Sequence, residues 1–83
     1  MAAEEEILTQ VQQIFRDVFD RPALTIGRQT TARDVDGWDS LAHINLVDAI
    51  ERRFRITFAL GELQSLRHVG DMIDLIVRKA GRA

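Results

Sequence analysis

Ser40 lies at the boundary between a polar loop and an apolar-periodic helix running from Leu41 to Phe54. His43 follows three positions later, and Asp36 and Asp39 precede the serine. A serine nucleophile needs a base within hydrogen-bond reach and a third group to orient that base. Here one helix would supply both nucleophile and base, and a chain of 83 residues leaves little room for a substrate pocket. Hydrolysis is therefore disfavoured, and no catalytic residue is assigned. His43, His68 and the scattered carboxylates lack metal-ligand spacing, so no metal site is expected. The glycines are isolated and build no phosphate cradle. The chain has no cysteine, so disulfides and thiolate metal sites are excluded. Any thiol chemistry must come from an added group.

The elements that position Ser40 are helical. Ile7, Leu8, Val11, Ile14, Phe15, Val18 and Phe19 recur at the spacing of one helical face. Glu4, Glu5 and Glu6 suit the start of that helix, where negative charge is favoured. Asp20-Arg21-Pro22 is expected to end it, because the residue before a proline is disfavoured from helical geometry. The second helix begins near Ser40, with Asp39 as its N-cap. Ile44, Leu46, Val47, Ile50 and Phe54 form its apolar stripe, and Arg52, Arg53 and Arg55 gather at its C-terminal end. The last helix runs from about Val69 to Ala80, with Val69, Met72, Ile73 and Ile76 on one face and Gly81 as its stop. Between these two, Phe58, Leu60, Leu63 and Leu66 suggest a short helix weakened by Gly61. Residues 20–39 form a connection long enough to suggest a functional role, with Leu24, Ile26, Val35 and Trp38 available to pin it down. The fold class is thus all-α: a small antiparallel bundle of three main helices plus one short helix, in a single domain over residues 1–83. The expected core includes Phe15, Val47, Ile50, Phe54 and Ile73.

Charge narrows the partners. The window from Asp34 to Glu51 holds five acids and no Lys or Arg, so it carries −5 against a total of −2 and leaves +3 for the rest. Nucleic acid would be repelled from that face, whereas a basic protein surface would be attracted. No apolar run approaches the roughly 18 residues that span a membrane, and the start of the chain is acidic, unlike a secretory signal. A cytoplasmic monomer is the expectation.

The run Asp36-Gly37-Trp38-Asp39-Ser40-Leu41 resembles the phosphopantetheine attachment site of the acyl carrier protein family. The spacing to Ile44, Leu46, Val47, Ile50, Glu51 and Phe54 resembles that family's second helix. Ile56, Leu63, Val69, Gly70, Asp71 and Met72 resemble its downstream pattern, so the likeness covers nearly the whole chain. The resemblance implies that a phosphopantetheinyl transferase attaches 4'-phosphopantetheine from coenzyme A covalently to Ser40. The chain would then hold an acyl or related intermediate as a thioester and present it to acyl-loading and acyl-processing enzymes. Asp39, Leu41, Asp48 and Glu51 would meet those partners, and an acyl chain would enter between the second and third helices. Carriers of the general fatty acid pathway usually have a strongly acidic second helix, whereas here Ala42, Asn45, Arg52 and Arg53 replace expected acids. That departure implies a specialised, stand-alone carrier for polyketide, lipid-modifying or amino-acyl chemistry. The alternative is an unmodified acidic helical module that binds a protein partner, with Ser40 serving only as a helix-start residue.

Overall fold

The computed structural model describes residues 2–64 and 66–80. Four helices follow one another: α1 (Ala2–Val18), α2 (Ser40–Phe54), α3 (Leu60–Gln64) and α4 (Val69–Ala80). No strand occurs among the described residues. The expected stop at Gly81 lies outside them.

Both α2 and α4 pack against α1. Val11 and Phe15 of α1, Leu46 and Ile50 of α2, and Val69, Met72, Ile73 and Ile76 of α4 are essentially without solvent contact. Short helices are marginal in water, so burial of these apolar faces supplies most of their stability. One residue of the expected stripe and one expected core position differ. Ile44 is 63% exposed, and Phe54 is only half-buried at the edge of the cluster. The buried side of α2 is the narrower row Leu46, Val47 and Ile50. The apolar stripe in the sequence is wider than the surface that α1 and α4 cover.

The ends of α1 and α2 share one device. Asp20 takes a left-handed conformation (φ 53°), and the Arg21 N–H reaches back to the Arg16 carbonyl at 2.9 Å. Arg55 does the same after α2 (φ 56°), with the Ile56 N–H on the Glu51 carbonyl at 3.1 Å. These backward bonds satisfy carbonyls that the helix leaves unpaired. The reversal after α1 therefore falls at Asp20, ahead of Pro22.

The long connection is stitched down at many points. Ile26 and Val35 are buried, and Leu24 and Trp38 pack against the core. The Ile26 N–H donates to Gln12 Oε1 at 3.0 Å, and Arg16 Nε donates to the Leu24 carbonyl at 2.7 Å. The loop also closes over the start of α4. Val69 N–H donates to the Thr30 carbonyl at 2.9 Å, and Gly70 N–H to the Arg28 carbonyl at 2.8 Å. A Cβ on Gly70 would lie 2.9 Å from that Arg28 oxygen, so glycine permits the approach. Arg28 itself pairs with Glu4 of α1 and, through both carboxylate oxygens at 3.0 Å, with Asp74 of α4.

The segment around α3 is held by carboxylates. Glu51 Oε2 accepts from the Phe58 N–H at 2.8 Å. Glu62 Oε1 accepts from the Ala59 N–H at 2.7 Å and pairs with Lys79 of α4 at 2.9 Å. Glu62 thus makes the half of a capping box that reaches back to the N-cap backbone N–H. α3 is the shortest helix, as expected, but its start is capped.

Candidate functional site

The approach to Ser40 is set by Gly37, whose φ of 88° is a conformation that L side chains rarely adopt. Trp38 N–H then bonds the Val35 carbonyl at 3.2 Å, and Asp39 N–H bonds the Gly37 carbonyl at 2.8 Å. Asp39 is extended (φ −99°, ψ −171°), and its carboxylate accepts from the Ala42 N–H at 2.9 Å. This is an N-cap, as the sequence predicts. Ser40 is the first residue of α2, and it is exposed.

An aromatic group fixes this corner to α1. The Trp38 ring meets Phe15 edge-on at 5.2 Å between centroids and Phe19 at 6.3 Å. Trp38 Nε1–H donates to His43 Nδ1 at 3.1 Å. An indole can only donate, so Nδ1 must be unprotonated and the neutral imidazole carries its proton on Nε2. Burial pushes the His43 imidazole below its ordinary value, favouring that neutral form. In this tautomer neither nitrogen is free to take a proton from Ser40. Among the described residues Ser40 Oγ has no hydrogen-bonding partner, and no polar or charged side chain is buried. The corner leaves the serine hydroxyl exposed and unactivated.

Beside Ser40 opens a cleft of about 510 Å³. Its lining comes from Ala32 of the long connection, from Trp38, Asp39, His43 and Ile44 around the start of α2, and from Leu66 and Arg67 of the α3–α4 connection. Ile44, which the sequence places in the apolar stripe of α2, therefore lines this cleft. The cleft lies between the start of α2 and the residues after α3. It is a surface opening, and the buried Leu46, Ile50 and Phe58 are not among its lining residues.

The sequence-named contact residues divide into two groups. Asp39 and Leu41 flank Ser40, and Leu41 is 67% exposed. Asp48 lies about 12 Å further along the helix axis at 1.5 Å per residue. It pairs with Arg52 at 3.2 Å in solvent. Glu51 is half-buried and occupied by the Phe58 N–H. The sequence reading missed the Trp38–His43 bond, the exposure of Ile44 and the place of Arg67. Only the spacing of Leu41 and Ile44, one turn apart beside Ser40, hinted at an apolar surface there.

Residues 9–76 match the family described as "Phosphopantetheine attachment site". Over 74 residues the chain is 31% identical to an acyl carrier protein of Acidothermus cellulolyticus, covering 89% of this chain and 88% of that one. It is similar to the solution NMR structure of holo acyl carrier protein from Geobacter metallireducens, with a TM-score of 0.85 and 48% identity. That match covers 90% of this chain and 86% of the other.

Proposed function

The chain belongs to the phosphopantetheine-attachment family of acyl carrier proteins, and from that premise we propose that Ser40 Oγ is the atom to which the arm is joined. One observation carries the assignment: Ser40 is an exposed hydroxyl at the first position of α2, held by the Asp39 cap at the rim of an apolar cleft. The residues suit a phosphopantetheine group, because the oxygen is accessible and the neighbouring walls are apolar. Ser40 needs access more than activation, since a transferase brings its own base. The Ser40 hydroxyl loses its proton, its oxygen bonds the diphosphate phosphorus of coenzyme A that carries the pantetheine, the bond from that phosphorus to the bridging oxygen breaks, and 3',5'-adenosine bisphosphate leaves. The arm supplies a terminal thiol that holds an acyl group as a thioester.

The rest of the chain binds and presents. Leu41 and Ile44 offer apolar contact beside the acidic Asp39, a mixture suited to an interface core with a charged rim. Asp48 adds negative charge further along α2. Glu51 contributes by fixing the α2–α3 connection rather than by open charge. The chain catalyses nothing itself; it is a monomeric carrier working in the cytoplasm with a transferase, acyl-loading enzymes and acyl-processing enzymes. Among the described residues no helix is long and apolar enough to cross a membrane, and no cluster could hold a metal. The unmodified interaction module is not favoured by the family match.

Intact mass after incubation with coenzyme A and a broad-specificity transferase tests the assignment. One phosphopantetheine should be added to the wild type and none to Ser40→Ala, whose helical circular dichroism should be unchanged. Addition to the Ser40→Ala protein, or none to the wild type with several transferases, would exclude Ser40.

A further inference from the structure

Joining a phosphodiester to Ser40 adds a negative charge to an end of the molecule that is already acidic. Asp34, Asp36 and Asp39 are all exposed there. Asp39 also lines the cleft beside the serine, and His43 on the same wall is held neutral by burial and by its bond from Trp38. Among the described residues, Arg67 is the only Lys or Arg lining that cleft. Its backbone N–H is fixed by Asp71 Oδ2 at 3.1 Å, which anchors the α3–α4 connection whatever the side chain does. Among the described residues the guanidinium makes no hydrogen bond or ion pair, unlike those of Arg16, Arg28, Arg52 and Arg53. An unpartnered guanidinium facing an apolar cleft is a ready receptor for an oxyanion, because its planar donors match two oxygens at once.

We infer that the Arg67 side chain pairs with the phosphodiester of an arm attached at Ser40 and so holds the root of that arm against the cleft formed by Trp38, Ile44 and Leu66. This rests on Ser40 being the attachment point. Arg67 acts as a positioning residue: it sets the direction in which the arm leaves the protein. A carboxylate at the far end of an acidic cargo offers the same oxyanion chemistry, and loading separates the two sources.

The test uses the full chain in apo, holo, acetyl-loaded and malonyl-loaded forms, with loading verified by intact mass. Nitrogen NMR follows the Arg67 Nε–H, with the Nε–H of the exposed Arg33 as control, and phosphorus NMR follows the phosphodiester. Conversion from apo to holo should shift the Arg67 resonance and leave that of Arg33 in place. Arg67→Gln should move the phosphorus resonance towards that of the same phosphodiester in urea-unfolded holo chain, and Arg67→Lys should move it less. Both effects should fade in about 1 M salt, where the Debye length is about 3 Å. An Arg67 resonance indifferent to loading at Ser40 overturns the inference alone, and so does one that responds only to malonyl. Absence of loading at Ser40 overturns both the inference and the attachment assignment. Circular dichroism of Arg67→Gln should match wild type, since the Asp71 bond to the backbone is retained.

Discussion

The Trp38 indole donates to His43 Nδ1 only while that nitrogen is unprotonated, so the residues leading into Ser40 are coupled to the charge of one imidazole. Burial lowers the folded-state value of His43 below its ordinary 6.5. The unfolded chain therefore binds the proton more readily than the folded one, and stability rises with pH across that interval. The contribution is complete above about 6.5, the unfolded value, and is lost as pH falls through the folded value. Urea midpoints should thus drop between about pH 7.5 and about pH 5.5, and His43→Gln, which keeps an acceptor but cannot titrate, should flatten that part of the curve. Equal slopes for the two proteins would remove His43 from the explanation. The carboxylates act lower. Asp71 is depressed chiefly by the His68 backbone N–H and Glu62 by that of Ala59, so their stabilisation disappears only as pH falls through the acid range. At this scale the sequence was informative about Asp39 and Ser40, because capping depends on near neighbours. It was silent on Trp38–His43 and Arg67, since those placements depend on how the long connection and the α3–α4 connection fold back on the helices.

Two glycines in helices have opposite surroundings, and the difference is measurable. A Cβ on Gly61 in α3 would meet nothing within 4 Å. Gly61→Ala should therefore stabilise the protein by about 0.5–1 kcal/mol, chiefly by restricting the unfolded chain. Gly70→Ala forces a Cβ to within 2.9 Å of the Arg28 carbonyl and should destabilise by about 1–3 kcal/mol, with the loop pushed away from α4. Denaturant midpoints of the two variants should move in opposite directions; movement the same way would contradict the close approach. The phenylalanines make a second contrast. Phe15 is fully buried, and Phe15→Ala should cost about 3–5 kcal/mol. Phe54→Ala should cost clearly less, because that ring only borders the cluster. Periodicity made all four helices legible, since a 3.6-residue repeat survives without tertiary information. It could not show where burial stops along α2, because Ile44 and Phe54 are as apolar as Ile50. Nor did it reveal the left-handed turns at Asp20 and Arg55, where neither residue is the glycine that usually marks one.

Across the whole molecule, charge is separated along α2. Ser40 sits at an acidic end with Asp34, Asp36 and Asp39, whereas Arg52, Arg53 and Arg55 stand exposed at the other. Opposed charges of this kind set which enzyme surfaces meet the carrier quickly, more than how tightly they hold it. The structure also shows which charges can be altered without disturbing the fold. Arg53 Nε bonds Gln10 Oε1 of α1 at 2.9 Å and Ala42 is half-buried, so both are poor choices. Asn45 and Arg52 are exposed, and Arg52 loses only its solvent-facing pair with Asp48. That pair contributes at most about 0.5 kcal/mol. Asn45→Glu combined with Arg52→Glu gives α2 the acidic character usual in carriers of the general fatty acid pathway. The double variant should accept acyl groups faster from enzymes of that pathway and slower from its own partners, because specificity is a difference of affinities that includes repulsion. The gain should shrink between low and moderate salt, since exposed charges are screened beyond a Debye length of about 10 Å at 0.1 M. Transfer rates for wild type and variant, each at two salt concentrations, decide the matter. If the wild type already serves those enzymes as well as the variant does, charge on α2 does not select its partners, and selection must lie in the apolar contacts of Leu41 and Ile44.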